Sequence, residues 1–231
     1  MADGSMIQLH DLDGYLTQAA KPIGAAILLP MIYGLNGCVK DLAQRLADWG
    51  LTTIVWNPYP GHPTISREEA QKRAALLRDN VMVAQISAWM TYMQEVRKIR
   101  QVATIGFCLG GRVGLLHAAH DRRVAGHVSF YPTIPVPRAP NQELDVMELT
   151  KEVRCPVLLQ QPSHDQRTSH DTYMHLKAAL LTRHGAATVL GFYPDADHGF
   201  MELEHHPGHG NEQAVKLAWQ QSVGFLRAAV S

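Results

Sequence analysis

The sequence predicts an α/β fold built on a mostly parallel sheet, and three observations carry that expectation. Short apolar runs recur at 25–29, 52–56, 102–106, 125–130, 156–160 and 187–193. Stretches with helical spacing alternate with them, near 37–49, 67–98, 110–119, 170–184 and 211–228. Such alternation gives parallel strands covered on both faces, and strands buried on both faces read as unbroken apolar runs. The third observation lies at the N-terminus. Residues 6–10 and 14–18 flank Asp11-Leu-Asp-Gly14 and read as a hairpin turning at that tetrapeptide. Two hairpin strands and six later runs make a sheet of about eight strands, flanked by helices on both faces, in one domain over residues 1–231.

The run 102–106 is followed at once by Gly106-Phe107-Cys108-Leu109-Gly110-Gly111, and an amphipathic stretch starts at Arg112. Strand, sharp turn and helix with a nucleophile at the apex form the nucleophile elbow of α/β-hydrolases, here with Cys in the usual Ser position. The apex residue needs a strained backbone, and Gly106 and Gly110 let strand and helix approach closely. The helix start places N–H groups and a positive dipole end beside Cys108, which favours the thiolate. The alternative for Cys108 is a buried structural thiol.

A nucleophile needs a base, and the base needs an orienting carboxylate. In this fold they follow in the order nucleophile, acid, His. Asp165 lies in a polar loop just past the run 156–160, and His198 lies just past the run 187–193. Each candidate follows its own strand, where such folds place site residues. Asp195 and Asp197 are competing carboxylates, and His164, His170, His205, His206 and His209 are neighbouring histidines.

These motifs resemble the dienelactone hydrolase (carboxymethylenebutenolidase-like) family over nearly the whole chain. The resemblance rests on Ile32-Tyr33-Gly34-Leu35-Asn36, the Gly106–Arg112 elbow, the Asp165 loop and Asp197-His198-Gly-Phe200. It implies hydrolysis of small lactones or esters by a Cys108–His198–Asp165 triad without a cofactor. The Leu109 N–H follows the nucleophile directly and is one expected oxyanion donor. The resemblance adds the Ile32 N–H as the other. Two positions depart from the family pattern. Met31 stands where dienelactone-cleaving members carry a Glu that pairs with the Cys. Glu202 stands where they carry an Arg that binds the substrate carboxylate. A negative charge there repels a carboxylate. Arg67, Arg78 and Arg112 are the candidate replacement cations.

Composition narrows the partners. Lys plus Arg equals Asp plus Glu at 21 each, so nucleic-acid binding has no electrostatic support. No apolar run reaches the ~20 residues of a membrane span. The first residues lack the charged and apolar regions of a signal peptide. Three cysteines, Cys38, Cys108 and Cys155, give no disulfide framework, so a cytoplasmic, reducing location is expected. Cys38, at the start of an expected helix, reads as a packed small residue, with a redox-active thiol as the alternative. The expected partner is a small ester or lactone, and the expected assembly a monomer or weak homodimer.

The Pro-rich stretches 57–63 and 131–140 read as loops, the second as a lid or substrate wall. Met31, Tyr33, Tyr59, Arg112, Phe200 and Glu202 are the candidate substrate-binding residues, with Trp56 a further aromatic. His205-His206-Pro207-Gly208-His209 lacks a recognisable ligand spacing, so no metal is expected. Amidotransferase-like Cys enzymes carry a Glu two residues after the His, but Phe200 stands there. Two other readings stay open: a thioesterase, and a non-catalytic α/β-hydrolase scaffold binding a small ligand.

Overall fold

A computed structural model describes residues 4–62 and 66–231. Pro63, the last residue of the first Pro-rich stretch, and the first three residues lie outside the described range. The strands are β1 (Ser5–Leu9), β2 (Leu12–Thr17), β3 (Gly24–Leu29), β4 (Leu51–Trp56), β5 (Val102–Phe107), β6 (Val124–Phe130), β7 (Val157–His164) and β8 (Thr188–Asp197). They form one eight-stranded sheet in the order β1-β2-β4-β3-β5-β6-β7-β8. β1–β2 and β2–β4 are antiparallel, and every later pair is parallel.

The helices are α1 (Gly37–Asp48), α2 (Arg67–Ala74), α3 (Asp79–Thr91), α4 (Leu109–His120), α5 (Val146–Thr150), α6 (His170–Leu181) and α7 (His209–Val230). Strand alternation sorts the core into two layers. Ile27 and Leu29 of β3 pack with Trp89 of α3, Val113 of α4 and Leu176 of α6. Ala26 and Leu28 face the other way, toward Leu42 of α1 and Trp219 and Leu226 of α7. β3, β4 and β5 are buried at every residue, as their apolar runs require.

Two expectations need correction, and one further helix appears. The hairpin turns at His10-Asp11, with Leu9 paired to Leu12, and Gly14 lies inside β2. Gly14 is there because a Cβ would press on the Trp89 ring and the Ile54 side chain. The helix expected over 67–98 is broken at 75–78 and ends in one π-helical turn, Tyr92–Val96. Asn141 Nδ2 donates to the carbonyls of Ala74 (3.0 Å) and Leu77 (2.7 Å), closing α2. Asp79 then opens α3 with its carboxylate buried against Arg112. Both partners are distant in sequence, so local periodicity carries no trace of the break. α5 lies in a stretch to which the sequence pattern assigns no element. Its five residues are capped by Asp145 Oδ1, which accepts from the N–H groups of Met147 and Glu148.

Candidate active site

Three strands end where the chemistry begins. β5 ends at Phe107, β7 at His164 and β8 at Asp197, so Cys108, Asp165 and His198 are each the first residue beyond a parallel strand. They therefore share the C-terminal edge of the sheet. Register brings two of them side by side, because His164 pairs with Asp197 and the next residues are Asp165 and His198.

The elbow has the geometry its glycines imply. Cys108 holds φ 55°, ψ −111°, a left-handed conformation costly for a residue with a side chain. A Cβ on Gly106 would collide with the Gly110 carbonyl, and one on Gly110 with the Leu29 carbonyl. The turn is held by main-chain bonds from Cys108 N to Phe130 O (3.0 Å) and from Gly110 N to Pro30 O (3.1 Å).

His198 Nδ1 lies 3.0 Å from both carboxylate oxygens of Asp165. Asp165 Oδ1 also accepts from the N–H groups of Arg167 (2.8 Å) and Thr168 (2.9 Å), and Oδ2 from the Tyr173 hydroxyl (2.7 Å). Burial alone would raise the Asp165 pKa, but these donors and His198 hold it below the ordinary carboxylate range. Burial likewise pushes the Cys108 thiol up. Hydrogen bonding and charge from His198, the Thr133 hydroxyl and the Leu109 N–H outweigh it, and the thiol lies below its usual value. Burial pushes the His198 imidazole down, but Asp165 and Cys108 carry it up to about 9. Both shifts run in the direction that favours a thiolate beside an imidazolium. The competing carboxylates are placed elsewhere. Asp197 accepts from Asn211 Nδ2 (3.0 Å), and Asp195 is exposed.

Sequence reasoning missed Thr133. Its hydroxyl lies 3.0 Å from Cys108 Sγ and 3.4 Å from His198 Nε2. The available signal was a polar residue three positions beyond β6, on the same sheet edge. Its segment is stapled to the Asp165 loop by Thr168 Oγ1, which donates to Pro132 O (2.7 Å) and accepts from Ile134 N (2.9 Å).

A cleft of about 1000 Å³ opens over Cys108 and His198. Met31, Ile32, Tyr33, Leu109, Arg112 and Glu202 line it, as do Ala139, Asn141 and Gln142 from the end of the second Pro-rich stretch and just beyond. Ile32 and Leu109, the expected oxyanion donors, thus border the same space as the thiol. Tyr59 and Phe200 do not line it. Tyr59 is buried against Gly34, and Phe200 packs among Phe130, Tyr131 and Tyr193. Trp56 is core, its indole N–H donating to Gln85 Oε1. Arg112 reaches the cleft wall, but its guanidinium is held by both oxygens of Asp79 at 2.7 Å. It is not a free cation for substrate. Arg78 pairs with Glu143. Arg67 does line the cleft, as does Arg167.

Among the described residues no cluster of His, Cys, Asp and Glu is placed to hold a metal. His205 stacks on Tyr33 instead, with ring centroids 6.0 Å apart. No helix among them is long and apolar enough to cross a membrane.

The dienelactone hydrolase family model matches residues 12–230. A carboxymethylenebutenolidase from Rhodococcus opacus is 27% identical over 207 residues, covering 87% of this chain and 79% of its own. The crystal structure of a dienelactone hydrolase-like promiscuous phosphotriesterase from metagenomic libraries superposes with a TM-score of 0.81 at 16% identity, covering 98% of both chains. An α/β-hydrolase sheet, its elbow at Cys108 and a family match over almost its full length together show that this chain belongs to the dienelactone hydrolase family.

Proposed function

We propose that this member hydrolyses small esters or lactones through Cys108, without a cofactor. The observation that carries the reading is geometric: Cys108 sits at the strained elbow, His198 meets both oxygens of Asp165 at 3.0 Å, and thiol and imidazole border one cleft. In the proposed reaction Sγ attacks the substrate carbonyl carbon and a C–S bond forms. The carbonyl electron pair moves onto oxygen, where the Ile32 and Leu109 N–H groups receive the oxyanion. Losing one such donor typically costs about 2.7–4 kcal/mol in the transition state. The oxyanion collapses, the C–O bond to the leaving group breaks, and His198 gives its proton to the departing oxygen. Water, deprotonated by His198, then adds to the thioester carbonyl, the C–S bond breaks, the acid product leaves, and the thiolate–imidazolium pair is restored. Asp165 holds the imidazole tautomer and offsets its charge throughout.

The departures at positions 31 and 202 shape the substrate range. Met31 is buried and uncharged. In its place the Thr133 hydroxyl and His198 hold the sulfur, so the thiolate needs no substrate to release it from a carboxylate. Glu202 disfavours an acid group in the cleft, so neutral esters and lactones should be preferred over carboxylate-bearing lactones. A reducing cytoplasm suits a thiolate nucleophile, and all three cysteines are free.

The test is a hydrolysis panel of p-nitrophenyl acetate and butyrate, simple lactones, a thioester and dienelactone. Wild type should turn over the neutral esters or lactones, and Cys108→Ala should lose at least roughly 10³-fold in kcat/KM. A Cys108→Ala protein with full activity would overturn the assignment.

A further inference from the structure

The cleft holds a buried carboxyl that the proposed hydrolysis does not use. Glu202 is 4% exposed and lines the same cavity as Cys108 and His198. Its main chain is fully engaged: the N–H donates to Gly199 O (2.8 Å), and the carbonyl accepts from His205 N and His206 N (2.9 Å each). The side chain is not. Among the described residues, its one hydrogen bond comes from Asn36 Nδ2 at 3.5 Å, the outer limit of such a contact. None of the ion pairs among them includes Glu202. Burial pushes the Glu202 carboxyl above its ordinary range, and a donor brought to it would favour the ionised form, which offers about four acceptor sites.

Serving as counter-charge for His198 does not explain the residue. Asp165 already meets His198 Nδ1 with both oxygens. Nor does the turn explain it, since the turn is made by backbone. Met31, which brings no donor, and His205, whose ring is stacked on Tyr33, line the same cleft. Asn36 is fixed as the cap of α1, its Oδ1 accepting from Val39 N (3.0 Å). The carboxyl is thus an acceptor held by one long contact from Asn36 and opening onto the reaction cleft.

We infer that Glu202, braced by Asn36, is a subsite for a hydrogen-bond donor on the substrate, a hydroxyl or protonated amine near the reacting carbonyl. The inference rests on the proposed hydrolysis and adds a substrate class to it.

Wild type decides first. kcat/KM is measured for p-nitrophenyl 3-hydroxybutanoate, 3-aminobutanoate, the succinate monoester and plain butanoate, each divided by its own hydroxide-catalysed rate. At least one donor-bearing ester should exceed butanoate by about tenfold, the scale of one hydrogen bond to a charged acceptor, with the succinate monoester lowest. Glu202→Leu should bring the ratio to about one. Glu202→Gln keeps an acceptor but not the charge, so a hydroxyl preference survives it and an ammonium preference does not. Circular dichroism confirms that each variant is folded, and if neither folds, the wild-type ratios decide alone. Cys108-dependent turnover with no donor preference overturns the subsite and leaves the hydrolase reading standing. A preference that survives Glu202→Leu also overturns it. Absence of any Cys108-dependent turnover brings down both.

Discussion

At Cys108 the backbone, the neighbours and the helix start act in one direction. The apex strain fixes the sulfur over the cleft, and Thr133, His198 and the Leu109 N–H stabilise its negative form. The signs of the two shifts set the pH profile. Thiolate is gained as pH rises through a value below the ordinary thiol range. Imidazolium is lost as pH rises through about 9. Activity that needs the pair is therefore bell-shaped, with its alkaline limb near pH 9, and both limbs belong to the coupled pair. Thr133→Val removes one hydrogen bond to the sulfur. The acid limb of kcat/KM should move up by about one pH unit while the fold is kept. A profile unchanged in Thr133→Val would show that the hydroxyl does not tune the thiol. The elbow, Asp165 and His198 were legible because chain order and strand ends constrain them. Thr133 was not, because its one signal, a polar residue just beyond a strand, is shared by many loop residues and no chain-order rule singles it out.

Elements position these groups through contacts that cross the chain. Arg112 is one of three candidate replacement cations in the sequence. In the structure it is 1% exposed and locked to Asp79, itself fully buried. Asp79 Oδ2 also accepts from Leu144 N (3.0 Å), so one carboxylate ties α3, α4 and the segment before α5 together. Removing one partner of a buried pair leaves the other charge uncompensated, at a cost of about 3–5 kcal/mol. Asp79→Asn should lower the unfolding free energy by that order in urea denaturation. A loss under about 1 kcal/mol would contradict the role given to the pair. The same contact explains why α2 and α3 are two helices. The periodicity over 67–98 is real, but Arg112 and Asn141, which divide it, lie far along the chain. Gly14 misled for the opposite reason, since a glycine kept for close packing was read as a turn.

Across the whole molecule, the parallel sheet gathers the first residues beyond β5, β7 and β8 at one edge, which is why a linear reading of strand ends located them. Pocket shape was not legible in the same way. Tyr59 and Phe200 sit near the motifs in sequence but point into packing, which only the folded layers decide. The three thiols should also differ in reactivity. Burial pushes Cys38 up to about 12 and Cys155 up to about 11, whereas Cys108 lies below the usual thiol value. Iodoacetamide at neutral pH should label Cys108 first in the native protein, as peptide mapping would show. Equal labelling of all three would contradict the thiolate at the elbow. The most direct test of the central claim is to mix the protein with p-nitrophenyl acetate, quench within the first turnovers, and locate the acetyl group by mass spectrometry. The account predicts one acetyl per chain, as a thioester on Cys108, absent in Cys108→Ala. Turnover with the acetyl group on another residue, or none trapped while Cys108→Ala remains active, would contradict it.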